Sequence, residues 1–157
     1  MKEYVNVFDG VETMMVSQPM YGKTEDEITA DRNKAINFSN LCGFNFINTR
    51  NTGDWYNPEA MKERGVVNIP LCFFAKSVEA MSKCQLAYFS YGWELARGCR
   101  LEHSVAEAYG LVIVEEEEPN GFPLLVSHPG PEDAKRGLQW FEVSEEYVRG
   151  LGSKKKD

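Results

Sequence analysis

Ser90-Tyr91-Gly92-Trp93-Glu94-Leu95-Ala96-Arg97-Gly98-Cys99-Arg100-Leu101-Glu102-His103-Ser104-Val105-Ala106-Glu107-Ala108-Tyr109-Gly110 lies between two short apolar runs. Leu86-Ala87-Tyr88-Phe89 precedes it and Leu111-Val112-Ile113-Val114 follows it, and each reads as a buried strand. The stretch between them reads as a polar, glycine-containing loop and then a helix that ends at Gly110. Leu101, Val105 and Ala108 follow the i, i+4, i+7 spacing and are expected to face the sheet. A strand, a loop and a helix leading to another strand make a crossover unit, the repeating element of a parallel sheet.

Glu102 is expected in the first turns of that helix, near the carboxyl end of the strand, where open α/β sheets bind ligands. The positive end of the helix dipole favours an ionised carboxylate there. Such a group reads either as a nucleophile at the crevice floor or as an acid that simply suits a helix start.

The same alternation continues on both sides. Thr13-Met14-Met15-Val16-Ser17 reads as the first central strand, and Gln18-Pro19-Met20-Tyr21-Gly22-Lys23 as a loop broken by Pro19 and Gly22. Thr24-Glu25-Asp26-Glu27 is a capping box, so a helix is expected from about Glu25 to Leu41, with Ile28, Ala35, Ile36 and Phe38 inward. This strand, loop and helix start suits an anion held by backbone N–H groups, although it is neither a Walker loop nor Gly-x-Gly-x-x-Gly. An ordinary βα turn is the plainer alternative.

Phe44–Asn48 is the expected second strand, and the polar connection over 49–69 contains Asp54, Trp55 and Tyr56 and a short helix from Pro58 to Glu63. Its length suggests a binding loop, while its aromatics would equally pin it to the body. A helix is expected over Pro70–Lys83, with Leu71, Phe74, Val78 and Met81 apolar. Glu115 to Glu118 read as a solvated strand end, 123–131 as a proline-punctuated excursion, Gly137–Val143 as the fifth strand, and Ser144–Arg149 as a last helix. Tyr4–Phe8 alternates like an edge strand.

Composition narrows the function classes. The 157 residues suit one domain over 1–149, with a frayed basic tail over 150–157. A formal net charge of −7 argues against a general nucleic-acid binder, which needs a basic face. No apolar run reaches membrane length and the start is not a signal peptide, so a soluble cytoplasmic protein is expected. Four scattered cysteines and two histidines fit free thiols rather than a zinc site, and no metal or other cofactor is expected.

Gly98-Cys-Arg-Leu-Glu102-His-Ser-Val-Ala106 resembles the Gly-x-x-x-Glu-x-x-x-Ala helix start of the nucleoside 2-deoxyribosyltransferase superfamily, which includes the 2'-deoxynucleoside 5'-phosphate N-hydrolases. Ser17 to Lys23 and Gly92 to His103 are similar to segments of small phage and bacterial members, and the resemblance covers roughly residues 12–116. It implies a flavodoxin-like or Rossmann-like three-layer α/β fold with a mainly parallel five-stranded sheet in the order 2-1-3-4-5. It also implies that Glu102 attacks C1' of a nucleoside or nucleotide and displaces the base, by hydrolysis or by transfer to a second base. Ser17, Gln18, Met20, Tyr21, Gly22 and Lys23 are then expected to contact sugar or phosphate. Asp54, Trp93, Glu94, Arg97 and Gly98 complete the expected ligand set, with Trp93 stacking on a base or else covering the sheet edge.

A small-molecule nucleoside or nucleotide partner and a homo-oligomer follow from the resemblance, as does the host cytoplasm if the chain is phage-encoded. One position departs from the pattern: Ser77 stands where the transferases carry an aspartate that handles the leaving base. That departure keeps a second class open, a protein that binds a nucleotide or nucleotide-derived signal without cleaving it.

Overall fold

The computed structural model describes residues 8–49, 57–119, 121–127 and 141–142. Strands β1 (Thr13–Ser17), β2 (Asn45–Ile47), β3 (Leu86–Phe89), β4 (Val112–Glu115), β5 (Leu124–Ser127) and β6 (Phe141–Glu142) alternate with helices α1 (Glu25–Cys42), α2 (Pro58–Glu63), α3 (Ile69–Met81) and α4 (Arg97–Ala108). They form one sheet in the order β2-β1-β3-β4-β5-β6. The pairings β1–β2, β1–β3 and β3–β4 are parallel, and β4–β5 and β5–β6 are antiparallel. The expected mainly parallel 2-1-3-4-5 order is therefore present, with a sixth strand at its far edge.

The three strands β1, β3 and β4 carry apolar side chains on both faces, as a sheet covered on both sides requires. Met14, Val16, Leu86, Tyr88, Val112 and Val114 face Ala35, Phe38 and Cys42 of α1. Met15, Ala87, Phe89 and Ile113 face Met81 of α3 and Ala106 of α4. Two apolar layers on opposite faces of one sheet make the three-layer arrangement. Phe38 is the hub of the first layer, with ring centroids 6.0 Å from Phe8, 6.4 Å from Phe44 and 5.5 Å from Tyr88.

Local chemistry fixes the helix starts. Thr24 Oγ1 accepts from the Glu27 amide, and Glu27 Oε1 accepts from the Thr24 amide, both at 3.2 Å. Asn57 and Asn68 cap α2 and α3 by accepting the Ala60 and Leu71 amides. Helix α4 begins at Arg97 after Ala96 and has no side-chain cap.

Four sequence expectations need correction. The buried residues of α4 are Cys99, His103 and Ala106, whereas Leu101 is 45% exposed and Ala108 lies outside. The buried set is offset by two residues from the expected one, because a polar residue, His103, goes inward where Glu115 Oε2 meets its Nε2 at 2.7 Å. Glu102, the sixth residue of α4, lies in its second turn as expected, but burial rather than the helix start dominates its carboxyl and raises it.

The acid run is not simply a solvated strand end. Glu115 pairs with His103, and Glu116 is only 4% exposed, accepting the Tyr88 hydroxyl and, at 3.2 Å, the Tyr91 amide. Finally, 124–127 form a strand within the expected excursion, and Phe141–Glu142, inside the expected fifth strand, is the sixth. The expected edge strand over Tyr4–Phe8, apart from Phe8 itself, and the last helix and tail over 144–157 lie outside the described residues.

Candidate active site

Ser17 ends β1 beside the β1–β3 boundary, where the strand order reverses. Open α/β sheets place ligands at such a point, because the connecting segments leave to opposite faces there. A cavity of about 170 Å3 opens at this place. Val16, Ser17 and Gln18 from the end of β1 and Met20 from the following loop form part of its wall. Arg32 of α1, Thr49, Pro70, Phe73, Phe74 and Ser77 of α3, and Gly98 and Glu102 of α4 complete the described lining.

Glu102 is the acid of that lining. Burial raises its carboxyl above the ordinary value of 4.5, and the facing hydroxyls of Ser17 and Ser77 hold it down by favouring the charged form. Ser77 Oγ also reaches the Phe73 carbonyl at 3.4 Å, the weak backward contact of a helical serine. Ser17 lies close to Glu102 and Cys99, yet its Oγ completes no hydrogen bond of good geometry with any described group.

Gln18 is similar. Its Nε2 donates to the Ile28 carbonyl at 2.9 Å, which fixes the amide, while Oε1 is buried without a described partner. Ser17 and Gln18 are 2% and 7% exposed. A buried polar atom left unpaired costs about 1–3 kcal/mol. Two such atoms on one cavity wall point to a ligand that supplies the missing hydrogen bonds.

Gly98 carries the same message in steric form. It lies in α4 without a positive φ, and a Cβ built on it would meet nothing within 4 Å. Neither backbone nor packing demands glycine, although glycine in a helix costs about 0.5–1 kcal/mol relative to alanine. Gly98 also lines the cavity. Gly92 is a different case, since its φ of 86° needs glycine, and a Cβ there would stand 3.7 Å from Pro19 Cγ. The loops after β1 and β3 thus touch at the site.

Of the expected residues, Ser17, Gln18, Met20, Gly98 and Glu102 come together around the cavity. Ser77, singled out as a departure from the family pattern, faces Glu102. The other expected residues are not among the described lining. Tyr21 is fully exposed, and Gly22 takes the left-handed φ of 77° that turns the loop. Lys23 Nζ is held by Asp31 Oδ2 at 2.6 Å. Arg97 opens α4 at the surface, and exposed Glu94 accepts Arg100 Nη1 on its carbonyl at 2.9 Å. Asp54 lies outside the described residues.

Trp93 stacks on His103 with ring centroids 4.1 Å apart and planes 3° from parallel, and leans on Phe89 at 5.5 Å. It covers the sheet as one of the two sequence readings allowed.

Sequence reasoning missed Arg32. This arginine is 8% exposed, lines the cavity, and donates through Nη1 to Asn48 Oδ1 at 2.6 Å. A signal existed, since Ile28, Arg32 and Ala35 follow i, i+4, i+7 and put a cation on the inward face of α1. Phe73, Phe74 and Thr49 were also missed, and nothing in their spacing marks them.

The four cysteines are free, and burial lifts the Cys99 thiol beside the site to about 11, which keeps it protonated and unreactive. No metal-binding group of histidine, cysteine and acidic residues occurs among the described residues, and no described helix is long and apolar enough to cross a membrane. No family model, curated protein or solved structure matches the chain.

Proposed function

We propose that the chain cleaves or transfers at the N-glycosidic bond of a nucleoside or nucleoside 5'-monophosphate, with Glu102 as nucleophile. One observation carries this reading: a partly desolvated carboxylate shares a cavity at the strand-order reversal with two buried polar atoms that lack partners. Sugar hydroxyls are groups that satisfy a hydroxyl and an amide oxygen of this kind. A carboxylate oxygen attacks C1', the base leaves with the bonding pair, and a glycosyl ester forms, as in retaining glycosidases. Water or a second base then attacks C1' and frees Glu102. The two serine hydroxyls support the charged form before attack.

A cavity of about 170 Å3 accommodates the sugar and part of the base, and leaves a 5'-phosphate toward the rim. Lys23 and Arg97 stand outside the described lining and are candidates for that phosphate alone. A homo-oligomer belongs to the same reading. Val67, Ile69 and Leu71 are exposed beside Pro70 of the cavity wall, a surface that a second copy of the chain would cover. Light scattering on the purified protein tests that part.

The chemistry is tested by incubating wild type and Glu102→Gln with the four common deoxynucleoside monophosphates and separating free base by chromatography. Base from wild type alone supports the nucleophile. Equal release from both removes Glu102 from the reaction. Binding without release by either protein, read by calorimetry, replaces the enzyme with a nucleotide-binding protein, a reading favoured by Ser77 standing where an acid was expected.

A further inference from the structure

The displacement proposed above fixes the direction in which the base departs. The attacking oxygen and the leaving nitrogen stand on opposite sides of C1'. Glu102 approaches from α4, which packs with α3 on one face of the sheet, while α1 packs on the other. The base is thus directed toward the side of the described wall that α1 supports, and Gln18 and Arg32 belong to it. Gln18 Nε2 is anchored on the Ile28 carbonyl of α1 at 2.9 Å, which leaves Oε1 as a fixed acceptor. Arg32 lies one helical turn beyond Ile28, is buried, and is steadied by Asn48 Oδ1 at 2.6 Å.

We propose that the group displaced from C1' is an oxo base, a purine or pyrimidine whose exocyclic oxygen faces Arg32 and whose neighbouring ring N–H faces Gln18. The proposal rests on the N-glycosidic reading above and divides the two buried polar atoms named there, Ser17 Oγ toward the sugar and Gln18 Oε1 toward the base. A Glu102 oxygen bonds to C1', and the C1'–N bond breaks with its electron pair going to the base. In an oxo base that charge is shared with the exocyclic oxygen, where a buried guanidinium stabilises it as the bond breaks. Water then attacks C1' and the ester C–O bond breaks. The proton that this water loses balances the one that the departed base takes up. Adenine and cytosine carry an amino group at the corresponding place, which sets donor against donor at Arg32.

The test compares pairs that differ in that exocyclic group, deoxyinosine against deoxyadenosine 5'-monophosphate and deoxyuridine against deoxycytidine 5'-monophosphate. Intact wild-type protein is used, and free base is separated by chromatography. The oxo member of each pair is expected to be cleaved with kcat/KM at least about tenfold higher, the penalty for a buried donor left unmatched. Arg32→Met is expected to lower kcat for the oxo bases about tenfold or more with KM little changed, because the charge it meets develops only in the transition state. Its oxo-to-amino ratio should fall toward one. Gln18→Met removes a contact made before reaction, and its loss is expected in KM. If Arg32→Met does not fold, the wild-type pairs still decide.

An amino base released as fast as its oxo partner overturns the proposal while leaving Glu102 as nucleophile. An unchanged ratio in folded Arg32→Met does the same. No base from any of the four compounds overturns both.

Discussion

Gly98 sets stability against binding in a single substitution. In Gly98→Ala the added methyl meets no protein atom within 4 Å and the backbone φ is ordinary, so no clash or strain opposes it. Replacing a helical glycine by alanine removes a propensity cost of about 0.5–1 kcal/mol. For a chain of this size that corresponds to a rise in Tm of about 1–4 °C. Gly98 lines a cavity of about 170 Å3, so the same methyl is added at the wall of the candidate site. We expect the variant to melt higher and to lose about tenfold or more in ligand affinity or base release. Calorimetric melts and titration with deoxynucleoside monophosphates measure the two. A higher Tm with unchanged binding would show that Gly98 does not border the ligand, and a lower Tm would refute the claim that its space is free.

Glu102→Gln is expected to be more stable than wild type at neutral pH. A carboxyl raised by burial is one the fold prefers protonated, so the unfolded chain ionises first, and wild-type stability falls as pH rises past 4.5. Melts from pH 4 to 8 should show the two proteins converging at the acid end, and a lower Tm for the variant at pH 7 contradicts this. Tyr88→Phe leaves the buried Glu116 carboxyl without its hydroxyl donor and should cost about 1–3 kcal/mol in urea unfolding. Trp93→Ala removes a ring stacked on His103 and leaning on Phe89, and should cost about 2 kcal/mol or more, where a purely base-stacking residue would cost almost nothing. Phe38→Ala, at the hub of three aromatic contacts, should cost about 3–5 kcal/mol by the same assay.

The framework was legible wherever local chemistry decides it. Thr24 with Glu27 announced α1, Pro58 and Pro70 marked the starts of α2 and α3, and the apolar runs around 86–89 and 111–114 gave two central strands. Glu102 was legible from its place at a strand's carboxyl end, whereas Gly98, Ser17 and Gln18 were expected only through the family resemblance, and all four line one cavity. What failed was side-chain phase. Leu101 looked inward because it is apolar, but His103 with its two carboxylate neighbours, Glu107 at 3.2 Å and Glu115 at 2.7 Å, takes that face. Periodicity weighs only hydrophobicity, so an inward polar cluster shifts the reading by two residues. Arg32 was overlooked for the same cause, and Glu116 was read as solvated because a run of acids hides which member points inside.

The position of β1 also shapes how the chain must assemble. Its residues pair on one side with Asn45 to Ile47 and on the other with Leu86 to Phe89. Gln85 adds to the second seam, its Oε1 accepting the amides of Glu12 and Thr13. The first side closes early through a single crossover, but the second waits until more than half the sequence is present. Until then Met14 and Met15, completely buried in the finished molecule, lie on a strand with one free edge. Distant pairing of this kind slows folding and leaves such an edge open to misassociation. During synthesis, the interval between residues 47 and 86 is therefore when this chain most needs shielding, and pulse-labelled hydrogen exchange should find the β1 amides that face β3 protected only after β3 has docked, later than those that face β2.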